Sequence, residues 1–234
     1  MSGFHPYCIV TAGCHPPQGL TGLDGASVHG FDVGRFTVWV SEERAAPPAD
    51  LERVTAHHAV VAAAVAATTA LPVRFGSWVP SHEALAARIQ ESGDDLEAAL
   101  ASAAGRIEMG VSVRDVASPP EVPERRNAPR TVDGAYPDGR SYLRALSRSY
   151  SVRHERRRQQ DEVAAEIARR LAEVAPETRV QYPEPPALLS VAHLIARGDE
   201  ARYRSLLAGL GRTPQYAGRL HVTGPWPPYS FATT

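Results

Sequence analysis

The sequence predicts an α+β protein built as two units. Three observations carry this. Hydrophobic period switches repeatedly between 2 and about 3.6 along the chain. The composition is that of a globular protein, with 43% hydrophobic and 22% charged residues. The charge is split: up to Ala117 there are 7 Arg against 13 acids, and from Ser118 onward 18 Arg against 13 acids. Between the halves, Ser118–Gly139 holds five Pro and two Gly, a composition that resists a packed core. The reading is therefore an N-terminal domain over 1–117, a Pro-rich linker over 118–139 and a C-terminal domain over 140–234, each mixing strands with one or two helices.

Element by element, Tyr7–Thr11 reads as a short apolar strand. A glycine-rich stretch from Gly13 to Gly34 follows, mostly loop, with room for a strand at Ser27–Asp32. Phe36, Val38 and Val40 alternate with polar residues or Trp39, so a half-buried strand follows the Gly34 turn. Leu51, Val54, His58, Val61 and Val65 fall at 3–4 spacing, one helical face behind an Asp50 N-cap. Leu71, Val73 and Phe75 alternate as a strand that Pro72 confines to a start or an edge. Leu85, Ile89, Leu96 and Leu100 give a helical face broken near Gly93 and ended by Gly105. Ile107, Met109, Val111 and Val113 form the cleanest strand.

In the second half, Tyr142, Leu143 and Leu146 lead by helical spacing to Val163, Ile167, Leu171 and Val174, as one long helix or as two meeting near Ser149–Val152. Arg179–Tyr182 reads as a strand, and the nearly unbroken apolar run Leu188–Ile195 as a central one. Tyr203, Leu206, Leu207 and Leu210 make a helix ended by Gly211. Arg219–Thr223 is a last short strand, and the Pro-rich end from Gly224 is neither helix nor strand.

Several function classes find no support. The net charge is −1, so no overall field draws the chain to nucleic acid or to an anionic membrane. All 25 basic residues are Arg, so no lysine exists to reach a phosphate in a Walker loop, and the glycines fit no dinucleotide pattern. Gly-x-Ser-x-Gly and Ser-x-x-Lys are absent. Two Cys exclude a disulfide scaffold and a four-Cys zinc site. The first residues, Met1–Gln18, lack a basic leader, and the longest apolar run, Ala59–Ala67, is far short of the ~20 residues of a membrane span. The expectation is a soluble, cytoplasmic, non-enzymatic chain with no cofactor and no metal.

The polar clusters have structural explanations. His5, Cys8, Cys14 and His15 offer zinc ligand types at a spacing zinc sites do not use. His58 shares the apolar face of the first long helix, and His193 and His221 lie in strands; all three read as core or interface histidines. Asp94, Asp95 and Glu97 sit where a helix begins and complement its dipole. Arg153, Arg156, Arg157 and Arg158, interleaved with Glu155, Asp161 and Glu162, read as a solvated helix face rather than a nucleic-acid patch.

The end of the chain is more specific. Thr223-Gly-Pro-Trp-Pro-Pro-Tyr-Ser-Phe231 packs three Pro, Trp, Tyr and Phe into nine residues. It resembles the signature ending of the gas vesicle GvpL/GvpF family. Leu71-Pro-Val-Arg-Phe-Gly76 resembles that family's LPVRFG strand, and Gly105–Val113 its next strand. Leu188–Ile195 with Arg204–Leu210 resembles its late strand and helix. Met109, His193 and Cys8 depart from it at packing positions.

The resemblance implies two α+β domains, the first a modified ferredoxin-like fold and the second of similar type. It implies an accessory or minor structural protein that binds the gas vesicle shell protein and other accessory proteins during nucleation and assembly, at the gas vesicle in the cytoplasm, without catalysis, nucleic acid or membrane insertion. The residues singled out for packing or interaction are Leu71, Pro72, Val73, Arg74, Phe75 and Gly76, and Gly224, Pro225, Trp226, Pro227, Pro228, Tyr229 and Phe231. Two roles suit the tail: a docking strip for the shell protein, or a clamp folded back on the chain, the latter because an exposed aromatic strip invites aggregation. The alternative function is a small-molecule-binding regulatory module with its site in the Gly13–Gly34 loop.

Overall fold

The computed structural model describes residues 3–115, 139–183 and 187–232. Eight strands and five α-helices run along them. The first strands are β1 (Gly3–Thr11), β2 (His29–Val33) and β3 (Phe36–Glu43). Helix α1 (Leu51–Ala67) leads to β4 (Ala70–Pro72), followed by α2 (His82–Glu91), α3 (Gly93–Ala103) and β5 (Arg106–Arg114). Then come α4 (Gly139–Leu171), β6 (Glu177–Gln181), β7 (Ala187–Ala196), α5 (Glu200–Gly211) and β8 (Leu220–Trp226).

Contacts divide the chain into two compact units. One comprises Met1–Met109, Ala192–Ala201 and Thr223–Thr234; the other Gly110–Val191 and Arg202–Val222. The sequence-based division assigned 192–201 and the tail to the C-terminal domain, whereas contacts group both with the first unit. Composition marks boundaries along the chain and is blind to a segment that returns. Of the expected linker, only Gly139 lies within the described residues, as the start of α4.

The first unit carries a four-stranded antiparallel sheet of order β2-β3-β1-β4. Read from the other edge this is 4-1-3-2, the order of a ferredoxin-like sheet. The helix that would join the first two strands is replaced by the glycine-rich loop, which holds only a short 3-10 turn at Leu23–Gly25. Both faces are covered. Ile9, Val38 and Leu71 pack with Leu85, Ile89, Leu96 and Leu100 of α2 and α3. Val10, Trp39 and Ala70 pack with Val60, Val61 and Ala64 of α1.

A bulge in β1 allocates side chains between the two faces. Pro6 pairs with Val40 and Cys8 with Trp39, so Tyr7 is the extra residue. His5 and Tyr7 therefore share the α1 face with Cys8 and Val10, whereas strict alternation would put the first two on the opposite face from the last two. α1 is capped by Asp50, whose side chain accepts from Arg53 N. Its buried residues are His57, Val60, Val61 and Ala64. The expected face is thus rotated: His57 is buried, His58 half-buried, and Leu51 and Val54 are 83% and 40% exposed. The Ala-rich run from Ala62 to Ala67 tolerates either phase, so spacing alone does not select one.

β4 is shorter than the predicted strand and lies at the sheet edge, where Pro72 needs no donor. α2 and α3 are separate helices meeting at Ser92–Gly93.

The second unit contains most of a four-stranded sheet of order β6-β7-β5-β8, with β7 internal as its apolar run requires. Its core includes Ile167, Leu171, Leu188, Leu189, Leu207 and Leu210. α4 is one unbroken helix through Ser149–Val152; the side chains of Tyr142, Leu143 and Leu146 lie outside the described residues. β8 extends through Gly224–Trp226, so the tail begins as strand, contrary to expectation.

Candidate functional site: two motifs of the first unit

The tail is seated on the first unit by polar and apolar contacts. Gly224 has φ +103°, and a Cβ there would lie 2.9 Å from Glu108 O and 3.0 Å from Met109 Sδ. Only glycine lets the chain pass β5 this closely. The Gly224–Pro225 peptide is cis and Pro225 is exposed. Pro227 and Pro228 are buried, and one tight turn follows, with Phe231 N and Ala232 N both donating to Pro228 O, at 3.1 and 3.0 Å. Phe231 is half-buried.

Ser230 supplies the polar anchor. Its N–H and Oγ–H donate to the two Glu108 carboxylate oxygens at 2.7 and 2.8 Å. Glu108 is 8% exposed. Burial raises its pKa above the ordinary carboxylate value, and the two Ser230 bonds oppose that rise. Tyr229 packs against the α1 side of the core and stacks on His58 at 6.2 Å. Burial, with Cys8 and Glu108 nearby, pushes its hydroxyl pKa up to about 12.

Trp226 behaves differently. It is 43% exposed, its ring 5.6 Å from that of His58. Val54 and Leu51 precede His58 by four and seven residues, on the same side of α1. Leu51, Val54 and Trp226 are thus exposed apolar residues along the side of α1 that carries His58. Their polar rim includes Arg53, held by Asp24 at 2.9 Å and by Asp50.

The Leu71–Gly76 motif is mostly interior. Leu71, Pro72 and Val73 are buried, Arg74 is exposed and Phe75 half-buried. The sequence reading singled out Leu71–Gly76 for packing or interaction; the structure spends its apolar residues on the core. After Val73 the chain turns, with Ser77 N donating to Arg74 O at 3.2 Å and Gly76 at φ +86°, the left-handed position a type II turn requires. This turn presents two carbonyls to buried histidines. Ser77 O accepts from His5 Nδ1 at 2.8 Å, and Val73 O from His57 Nε2 at 3.0 Å. His5 Nε2 and His57 Nδ1 face each other at 2.8 Å. His5 is 0% and His57 2% exposed. Burial lowers the proton affinity of each ring taken singly, against the opposing pull of its carbonyl. Phe75 lies 5.8 and 5.6 Å from the two rings.

The remaining clusters hold structure together. Among the described residues no group of three or more His, Cys, Asp or Glu is arranged to hold a metal ion. Cys8 is buried, and His15 lies 3.4 Å from Asp32. The glycine-rich loop is tied down: Trp39 Nε1 donates to Cys14 O at 2.8 Å, and Leu23 N to Tyr7 Oη at 2.9 Å. Asp94 and Glu97 both pair with Arg35. In the second unit, Arg156 meets Asp115 at 2.5 Å, Arg157 lies 3.4 Å over the Tyr182 ring, and Arg158 pairs with Glu155.

Sequence reasoning missed His57, Tyr7, Glu108 and Ser230. Glu108 stands at an outward phase of β5, and its partner Ser230 lies 122 residues away in the chain. The double His57-His58 was visible, but not which ring is inside.

No helix among the described residues is long and apolar enough to cross a membrane. The family model described as gas vesicle synthesis protein GvpL/GvpF matches residues 3–233. Gas vesicle protein L of Streptomyces sp. (strain CB03234) is 26% identical over 185 residues, covering 76% of this chain and 67% of that protein. Two crystal structures share the fold at TM-score 0.69. One is gas vesicle protein GvpF from Anabaena sp. PCC7120, at 20% identity over 100% of this chain and 99% of that one. The other is GvpF from Microcystis aeruginosa, at 19% identity over 99% of each. The chain therefore belongs to the gas vesicle synthesis protein GvpL/GvpF family.

Proposed function

We propose that this protein is a non-enzymatic assembly factor of gas vesicles, one that binds the hydrophobic shell protein and other accessory proteins while the vesicle nucleates and grows in the cytoplasm. The observation that carries the reading is the exposure of Leu51, Val54 and Trp226. A partner that shields an apolar subunit before polymerisation needs accessible apolar surface with a polar rim. α1 and the first residue of the tail beyond the cis proline supply one, while the rest of the tail stays folded back. Anchoring by Pro227, Pro228 and Ser230 holds Trp226 in place, which lowers the ordering cost of docking.

The test is co-expression of a tagged form with the shell protein, comparing the wild type with a Leu51→Glu/Val54→Glu/Trp226→Ala variant. Co-elution of soluble shell protein with the wild type and its loss with a folded variant support the reading. Shell protein that precipitates while the wild type elutes alone overturns direct binding.

One observation favours a regulatory small-molecule role instead, at a place other than the glycine-rich loop. A cavity of about 230 Å³ beneath α2 and α3 is lined by apolar side chains including Ile9, Val38, Leu85 and Ile89, with Arg88 among its lining residues. A thermal-shift screen with small apolar carboxylates decides whether it takes a ligand.

A further inference from the structure

The His5–His57 contact does not close as a pair of neutral rings. Its four ring nitrogens make three contacts. The outer two, His5 Nδ1 and His57 Nε2, each face a backbone carbonyl oxygen, and a carbonyl only accepts. Both outer nitrogens must therefore carry hydrogen. In neutral imidazole the other nitrogen is then bare. That leaves His5 Nε2 and His57 Nδ1 lone pair against lone pair at 2.8 Å. Moving a hydrogen inward relieves this contact only by turning a bare nitrogen toward Ser77 O or Val73 O.

One added hydrogen satisfies every contact. At 2.8 Å the inner pair has ordinary N–H···N hydrogen-bond length. A zinc ion, which needs about 2.0 Å to each nitrogen, has no room between them.

We propose that His5 and His57 together bind a single proton at neutral pH, held between His5 Nε2 and His57 Nδ1, and that this proton fastens the Val73–Ser77 turn over the first unit. Three charge-assisted hydrogen bonds then replace two neutral ones and a repulsive contact. The Tyr7 ring is stacked on His57 at 5.3 Å and presents the π-face that attracts a cation.

The titratable and charged surroundings are few. From β1 comes Tyr7. From α1 comes His58, which lowers the proton affinity of His57. Glu43 on β3 and Asp24 in the 3-10 turn act on Tyr7 behind the pair. Arg74 in the covering turn is exposed. Desolvation opposes the charge and would empty either ring taken alone. The proton belongs to the pair rather than to one ring, so the pair titrates as a unit.

Linkage gives the test a sign. Unfolded, two ordinary histidines bind almost no proton at pH 8 and about one in all near pH 6.5. If the folded pair already holds one, wild type gains stability over His57→Gln as pH falls from 8 to 6, by up to about tenfold in the folding constant per pH unit. If the folded pair is neutral, that advantage shrinks over the same range, and the proposal is overturned.

Nitrogen-15 NMR of the histidine rings in the wild-type chain at pH 7 decides independently, even if the variant does not fold. Hydrogen on both outer nitrogens and one shared by the inner two is the expected pattern. Two hydrogens over the four nitrogens overturn the assignment.

Discussion

The two segments by which the sequence resembles the family are used in opposite ways. Leu71–Gly76 turns inward: its apolar residues fill the core, and the turn it begins offers carbonyls to buried histidines. The tail lies outside the sheet, buries Pro227 and Pro228, ties Ser230 to Glu108 and leaves Trp226 to solvent. A conspicuous motif is thus not an interface by virtue of being conspicuous. The Leu71 motif reads as a strand that needs a partner and is already partnered. The tail divides residue by residue between buried anchors and exposed surface.

Mutations can break this contrast, and the largest effect belongs to the inward motif. Leu71→Ala removes a fully buried side chain and lowers stability by about 2–5 kcal/mol in denaturant unfolding. Tyr229→Ala, at a partly buried position on the clamp side of the tail, costs about 2–3 kcal/mol. A cost below 0.5 kcal/mol would show that the tail does not clamp. Gly224→Ala forces a side chain toward Glu108 O at a left-handed φ and costs about 1–3 kcal/mol, read as a lowered unfolding midpoint.

Glu108 sharpens the comparison through pH. Its pKa is raised in the folded state, so its favourable contribution is present below the ordinary carboxylate pKa and is lost as pH rises through the raised one. Wild type should therefore gain on Glu108→Gln as pH is lowered from 7 toward 4.5. Parallel pH–stability curves would remove the buried carboxylate from the account. Trp226→Ala gives the smallest effect on stability, within about 0.5 kcal/mol, with shell-protein co-elution falling while the melting temperature holds. A large stability loss instead would place Trp226 with the clamp.

Much of the fold was legible because it rests on local chemistry. Phe36–Val40 and Ile107–Val113 alternate, Asp50 caps a helix, Gly93 breaks one, and Pro72 marks an edge. α1 was readable as a helix but not in its rotation, since Ala on several faces leaves the spacing degenerate while His57 is fixed by partners distant in sequence. The site was less legible for the same reason. His5 meets His57 across 52 residues and Glu108 meets Ser230 across 122. The bulge that brings His5 and Tyr7 onto the face of Cys8 and Val10 inserts a single residue that no composition rule announces.

The division into units also bears on synthesis. A chain emerges from the ribosome N-terminus first, and the first unit includes Thr223–Thr234. Its sheet and three helices are translated first, yet Glu108 and His58 wait for Ser230 and Tyr229, made 122 and 171 residues later. Until Tyr229 and the buried prolines are made, the α1 side of this unit lacks them, and its apolar surface is larger than in the folded protein. A nascent chain is therefore stickiest in the interval between synthesis of this sheet and synthesis of its tail.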